Sequence, residues 1–396
     1  MPKQKVLVVG GGFAGTKAAL DLSRDERFDI TLLSDKAYLT YYPTLYHVAT
    51  GGLRSNATIP LNTIFEGSKV KIATGKAKTL DRKTKTILTA TNETYSYDIL
   101  VLALGVITNY FDIPGLAELS YGVKSIEDVE KLKSHIHQQL IDNRQPDLNY
   151  VIVGAGPTGI ELAGALPEYI KHIMQLHKLQ PRPLHIDLID SSTRLLAHLP
   201  RDTSRMVARQ IRKKGIKIYT NQRVEGESAN NLTINGKPIQ SHTVIWTAGA
   251  SMNPFFADNN FAMSANHHVS TDVYLAAEDS IFVLGDNANT PYSGMAQTAL
   301  YDGEFLAANL IRQENGKNMK PYRPKQPITI IPVGEGWAAV IAGKIRLYGW
   351  LGWVLRQAAD ARAFHGYESW NKAIPQWFSY SSVEESCPVC LSAERT

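Results

Sequence analysis

The chain has 396 residues, 44% of them hydrophobic, which is length enough for two or more domains with their own cores. A formal charge of +5 is too mild for a dedicated nucleic-acid binder. The two cysteines, Cys387 and Cys390, both lie in the C-terminal tail, which excludes a disulfide framework for the body and fits a reducing compartment.

The opening "MPKQKVLVVGGG" enters a strand pattern at once and lacks the apolar core of a signal peptide, so a cytoplasmic start is expected. No apolar run approaches the roughly 18 residues of a spanning helix. "KVLVVGGGFAGTKAALDL" then reads as a buried strand, a glycine turn and a helix, with Gly10, Gly12 and Gly15 in the three positions of G-x-G-x-x-G. Gly10 serves the tight turn, Gly12 the close approach of a pyrophosphate, and Gly15 the packing of helix on strand. The phosphates of such a ligand meet the positive end of the helix. A carboxylate is expected at the end of the next strand to bind a ribose hydroxyl. "FDITLLSDK" offers Ser34 there, with Asp35 one residue late, and Asp35 reads equally well as a strand-end acid facing water.

Short alternating segments between 69 and 97 predict an antiparallel meander that ends in the buried strand "YDILVLALG" and Gly105. "NYFDIPGL" marks a domain crossing, and "VKSIEDVEKLKSHIHQQLIDNRQ" an amphipathic helix. The fingerprint recurs in "LNYVIVGAGPTGIELAGAL" with Gly154, Gly156 and Gly159. Two such units far apart in one chain point to two dinucleotides. Here "LHIDLIDSSTR" places Asp190 at the second strand's end, where a carboxylate repels a 2′-phosphate and favours NADH over NADPH; Arg194 moderates that preference. Small strands between 216 and 241 follow, and "TVIWTAGAS" closes the unit with Gly249. "AEDSIFVLGDNA" supplies one more apolar strand ending in Gly285 and Asp286. That aspartate can bond a ribityl hydroxyl of FAD, or merely cap the next helix. The predicted fold is α/β, with two Rossmann-like domains, the second inserted in the first. The boundaries are 1–115 and 251–330 for the FAD domain, 116–250 for the NADH domain, and 331–396 for a C-terminal amphipathic region.

The stretches "VVGGGFAGTKAA", "YPTLYHVATGGL", "YDILVLALGVITNYFDIPGL", "VIVGAGPTGIELAGAL", "TVIWTAGA", "IFVLGD" and "MAQTALYDG" together resemble the type-2 NADH:quinone oxidoreductases, single-subunit flavoproteins of the two-dinucleotide-binding-domain superfamily. The resemblance implies FAD on the first unit, touched by Gly10, Gly12, Gly15 and Asp286. It implies NADH as substrate on the second, touched by Gly154, Gly156, Gly159 and Asp190, and a membrane quinone as acceptor. Glu161 matches a glutamate that the family places near nicotinamide and flavin. There it would tune hydride transfer or relay protons; its other reading is an acid that simply favours the positive helix end. The helix from Met295 would aim its N-terminus at the flavin, with Ala296 and Ala299 small enough to admit a flat ring. In the family it carries Ala-Gln-x-Ala-x-Gln at the quinone site. Here Gln297 keeps the first glutamine and Tyr301 replaces the second. The phenol either meets the quinone, restricts the pocket, or is an ordinary core aromatic.

Trp337, Trp350, Trp353, Trp370 and Trp377 crowd the C-terminal end. "KIRLYGWLGWVLRQAADARAF" aligns Leu347, Trp350, Leu351 and Val354 on one helical stripe, with Arg346 and Arg356 elsewhere. "ESWNKAIPQWFSY" does the same with Trp370, Ile374, Trp377 and Phe378. Such segments suit a monotopic helix on an anionic membrane surface, here the cytoplasmic face of the cell membrane. The alternatives are a hairpin on the protein's own core and a homodimer interface. The C-x-x-C of Cys387 and Cys390 can be a redox pair or half a metal site; two ligands do not complete a zinc site, and in so polar a tail the pair is expected to be idle thiols. No metal and no nucleic acid is expected. A sulfide:quinone oxidoreductase needs cysteines in the body of the chain, which are missing. A soluble NADH-dependent reductase of a small redox protein and a cofactor-bound interaction protein are further alternatives.

Overall fold

The computed structural model describes residues 3–141, 148–241, 243–365 and 367. Two compact units divide the chain. The first runs to Thr40 and adds Thr58–Ile107 and Ala250–Pro327; the second takes Tyr41–Ala57, Thr108–Gly249 and the described residues from Ile328 on.

In the first unit six strands lie in the order Ala276–Glu278, Ile281–Val283, Ile99–Leu102, Gln4–Val9, Phe28–Ser34 and Lys71–Thr74. All neighbouring pairs are parallel except the outermost one at 276–283. A parallel sheet is covered on both faces, which is why "VLVV" and "ILVL" are apolar at every position and fully buried. The register pairs Val9 with both Leu33 and Leu102, and Leu102 with Val283. Four strands therefore end at one level, and Gly10, Ser34, Ala103 and Leu284 stand together along that edge. The helices Phe13–Leu22 and Ala296–Glu314 pack on each other, and the predicted meander forms as strands Ala77–Asp81, Thr86–Thr89 and Thr94–Ser96.

The second unit repeats the plan with an all-parallel sheet, Tyr121–Gly122, Thr243–Trp246, Leu148–Val153, Leu184–Ile189 and Lys217–Tyr219. Its helices include Ile126–Ile141, Pro157–Leu176 and Arg201–Lys213. The sequence places residues 41–57 in the first body; they pack instead with the second, where helix Leu45–Ala49 lies against Ile126–Ile141 and Pro157–Leu176.

The C-terminal region departs from the expected helical stripe. Thr329–Pro332, Ala338–Ala342 and Ile345–Gly349 form a three-stranded antiparallel sheet, and helix Trp350–His365 begins only afterwards. The reason is local. Gly343 adopts φ +60°, which makes the two-residue turn of a hairpin, and "IRLYG" then pairs with 338–342. Leu347 thus sits on a strand. The helix buries Gly352, Arg356, Asp360 and Phe364, while Trp350, Leu351 and Val354, with Leu355, are exposed, as a stripe meant for a membrane surface requires. Arg356, expected only to lie off the apolar stripe, is buried. Residues 370–378 and both cysteines lie outside the described residues. Among the described residues no helix is long and apolar enough to cross a membrane.

Candidate functional site

The two glycine loops do different work at each position. A Cβ on Gly10 would stand 2.1 Å from the Ala103 carbonyl oxygen, and Gly10 has φ +117°, so no other residue makes this turn without strain. A Cβ on Gly15 would stand 2.1 Å from the Gly10 carbonyl oxygen, which is the close helix–strand contact. Gly12 differs, since nothing lies within 4 Å of its Cβ position, and it caps the helix Phe13–Leu22 without a side-chain partner. That open space above a helix N-terminus fits a pyrophosphate.

The second loop matches. Gly154, at φ +109°, abuts Thr247, and Gly159 abuts the Gly154 carbonyl, while the space beside Gly156 is open at the start of helix Pro157–Leu176. Thr247, which sequence reasoning passed over, places its hydroxyl 2.8 Å from the Val153 carbonyl and 2.9 Å from that of Gly154, fastening the turn. Asp190 follows strand Leu184–Ile189 directly. It accepts from the N–H of Ala155 at 2.6 Å and of Ser192 at 2.7 Å, which pins the carboxylate beside the glycine loop. Each oxygen keeps a further lone pair for a ribose hydroxyl. Gly249 serves packing within this unit, because at φ +77° a Cβ there would strike the Phe111 ring at 2.5 Å.

Around the first loop, Ser34 is buried and bonds its own turn, donating to the Lys36 carbonyl, whereas Asp35 is exposed at the strand end. Asp35 is the better placed of the two for a ribose. Asp286 accepts from the Gly294 N–H at 3.0 Å, closing the loop that leads into helix Ala296–Glu314. Two further residues organise this edge. Asn287, fully buried, clamps Gly105 from both sides, accepting from its N–H at 2.9 Å and donating to its carbonyl at 2.7 Å. Asp302, also fully buried, accepts from the Gly285 N–H at 3.0 Å and from the Tyr322 hydroxyl at 2.6 Å. Burial pushes its carboxyl up to about 6. The available signals were an asparagine directly after Asp286 and a charged residue amid the small ones of "MAQTALYDGEF".

That helix begins at Ala296. Ala299 and Gly303 are small because the helix Phe13–Leu22 lies against them: a Cβ on Gly303 would come 2.5 Å from the Ala14 carbonyl oxygen. Gln297 is exposed and Tyr301, four residues on, is half-buried. The Tyr301 ring lies 5.6 Å from that of Tyr322, with the Lys325 ammonium 3.9 Å from its centroid.

Glu161 belongs to a buried cluster that sequence reasoning did not foresee. The Arg356 guanidinium donates to Asp360 at 2.6 Å and to the Pro43 carbonyl at 2.6 Å, and reaches Glu161 at 3.5 Å. Tyr41 donates its hydroxyl to Asp360 at 2.8 Å. All four side chains are under 9% exposed. One guanidinium thus serves two carboxyls, and the shorter contact belongs to Asp360. Burial pushes the Glu161 carboxyl up to about 8, against the pull of Arg356. At neutral pH it holds a proton. Burial and the Asp360 charge likewise push the Tyr41 phenol well above its usual range.

Residues 4–303 match the sequence family described as pyridine nucleotide-disulphide oxidoreductase. The type II NADH:quinone oxidoreductase Ndh of Mycobacterium tuberculosis is 24% identical, over 95% of this chain and 87% of its own. That of Staphylococcus haemolyticus is 27% identical, over 84% and 88%. Among solved structures, NDH2 from Plasmodium falciparum in complex with NADH superposes with a TM-score of 0.83 at 16% identity, covering 97% of this chain and all of the other. The sulfide:quinone oxidoreductase of Aquifex aeolicus reaches 0.76 at 19%, covering 97% and 98%.

Proposed function

The chain belongs to the pyridine nucleotide-disulphide oxidoreductase family, and from that premise we propose that it is a type II NADH:quinone oxidoreductase. It oxidises NADH and passes two electrons to a membrane quinone without pumping protons. The observation that carries this reading is the pair of open glycine cradles, one in each unit, in a chain whose body holds no cysteine. Electron delivery to a disulfide or persulfide within the body is thereby removed, and the relatives named type II NADH:quinone oxidoreductase run along nearly the whole chain.

Gly10, Gly12, Gly15, Asp35, Gly105 and Asp286 would hold FAD, and Gly154, Gly156, Gly159 and Asp190 would hold NADH. FAD, when bound, supplies the hydride acceptor and the two-electron store. The protein's own part is positional and acid–base. The uncapped N-terminus of helix Ala296–Glu314 offers positive potential for an anionic ring edge. Gln297 and Tyr301 present an amide and a phenol from one face of that helix, suited to the carbonyls of a quinone. Glu161, a neutral acid at pH 7, holds a proton that the reaction draws on.

The helix Trp350–His365 exposes Trp350, Leu351, Val354 and Leu355, beside Ile345 and Leu347 of the preceding strand. So wide an apolar surface needs a cover. A lipid-soluble acceptor makes the membrane surface the fitting one, as a monotopic attachment to anionic lipid at the cytoplasmic face. A dimer held by this face, with no binding to vesicles, would assign it to self-association instead.

The yellow holoprotein should be bleached by NADH without air and recoloured by a soluble quinone. Bleaching without reoxidation by any quinone would leave a reductase of some other acceptor.

A further inference from the structure

Helix Arg201–Lys213 carries Arg201, Arg205, Arg209, Arg212 and Lys213 against one acid, Asp202, which is paired with Arg346. Arg201, Arg205 and Arg212 are spaced by four and seven residues and so share a face. At 1.5 Å of rise per residue they spread along about 16 Å of the axis. That face walls a basin of about 490 Å³. Its other walls are the turn after strand Leu184–Ile189, with Thr193 and Arg194, and the strand Lys217–Tyr219 running out to Thr220. Among the described residues no Asp or Glu lines it. Arg194 is engaged, donating to the Leu199 carbonyl at 2.8 Å and to two neighbouring carbonyls. The other three guanidiniums have no carboxylate partner among the described residues.

Four arginines around one concavity repel one another and concentrate positive potential inside it. A surface face that is merely solvated does not need a concave shape, and a helix shaped only for stability would interleave acids with these positions. The volume suits a small molecule. Guanidinium forks match phosphate oxygens two at a time and stay charged at any working pH, and the two threonines add hydroxyl donors. Neither the cradle glycines nor Asp190 lines the basin. We propose that this basin is a binding site for an anion bearing two or more phosphate groups, separate from the dinucleotide cradle. Such phosphates belong either to a free polyphosphate compound or to lipid headgroups. The second source has some support from the neighbouring strand Ile345–Gly349, which touches this helix through Arg346–Asp202 and Tyr348–Thr203 beside exposed Ile345 and Leu347.

The test uses the full-length holoprotein and its R201A/R205A/R212A variant, all three positions being exposed and outside the proposed redox machinery. Titration calorimetry with tripolyphosphate, at saturating NADH, should show binding that weakens with salt. A single substitution should weaken it about tenfold, and the triple one more. In parallel, both proteins are sedimented with phosphatidylglycerol and with phosphatidylcholine vesicles. Tripolyphosphate binding lost in the variant assigns a free phosphate compound. A loss confined to phosphatidylglycerol vesicles assigns the headgroup. Equal binding by both proteins, no binding of either probe, or displacement of tripolyphosphate by NADH each overturns the proposal. NADH oxidation with a soluble quinone should be unchanged in the variant, which shows that it is folded.

Discussion

Replacing Asp360 with asparagine should turn Glu161 from a neutral acid into a carboxylate at neutral pH. In the native cluster Arg356 lies 2.6 Å from Asp360 and 3.5 Å from Glu161. At an effective dielectric of about 20, a unit charge at the Arg356–Glu161 distance attracts by about 5 kcal/mol. The Asp360 charge works against this attraction, and at a separation of roughly 7 Å it offsets about 2 kcal/mol of it. Asparagine keeps the shape and removes that opposing charge; its one carbonyl oxygen can accept from Arg356, while its amide N–H donates to the Tyr41 oxygen in place of the second acceptor. The Glu161 carboxyl, now at about 8, should therefore fall by roughly 1–2 units. The assay is the pH profile of NADH:quinone turnover together with the carboxylic-acid C=O band in infrared difference spectra, assigned by its loss in E161Q. The basic limb of the profile and the titration of the band should move together toward lower pH in D360N. Should the band titrate at the same pH in both proteins, the cluster does not set the protonation of Glu161. A fall in kcat with an unmoved profile would make Asp360 a purely structural residue.

The same cluster shapes stability. Glu161 has a folded pKa above its unfolded value of about 4.5, so its contribution is full below pH 4.5 and is lost as pH rises through about 8. Stability should decline over that window by of order a few kcal/mol, read as a falling melting temperature. E161Q should flatten the slope, and an unchanged slope in E161Q would contradict the assignment. Gly156→Ala meets no atom within 4 Å, so it should fold normally yet raise the KM for NADH about tenfold by filling phosphate space, whereas Gly159→Ala should lower the melting point because its Cβ strikes the Gly154 carbonyl. Normal NADH kinetics in a folded Gly156→Ala protein would take the dinucleotide out of that cradle. Tyr301→Gln gives up the ring contacts with Tyr322 and Lys325 and should change quinone kcat/KM severalfold with NADH affinity unaltered. Unchanged quinone kinetics would make Tyr301 a packing residue. Trp350→Ser with Leu351→Ser should release the protein from anionic vesicles while leaving turnover with a soluble quinone intact. Retained vesicle binding would move the attachment elsewhere.

The strand–turn–helix units at 4–22 and 148–176 and the positions of Asp190 and Asp286 were legible along the chain, because each is a local constraint. A glycine whose Cβ would meet the carbonyl five residues back, as Gly15 and Gly159 do, declares itself within a short window, and an all-apolar strand declares its burial. The hairpin at 338–349 was legible in principle, through Gly343, but the spacing of Leu347, Trp350 and Leu351 imitates a helical stripe. The Glu161 cluster was not legible at all. Its members stand at 41, 161, 356 and 360, and nothing in their separate surroundings marks Arg356 and Asp360 as buried rather than solvated. Only tertiary packing turns that helix so that Arg356 and Asp360 face inward. The physical reason is that a buried ion pair is set by long-range partners, which no local pattern records, whereas a dinucleotide cradle is set by backbone sterics over a dozen residues, which the sequence alone determines.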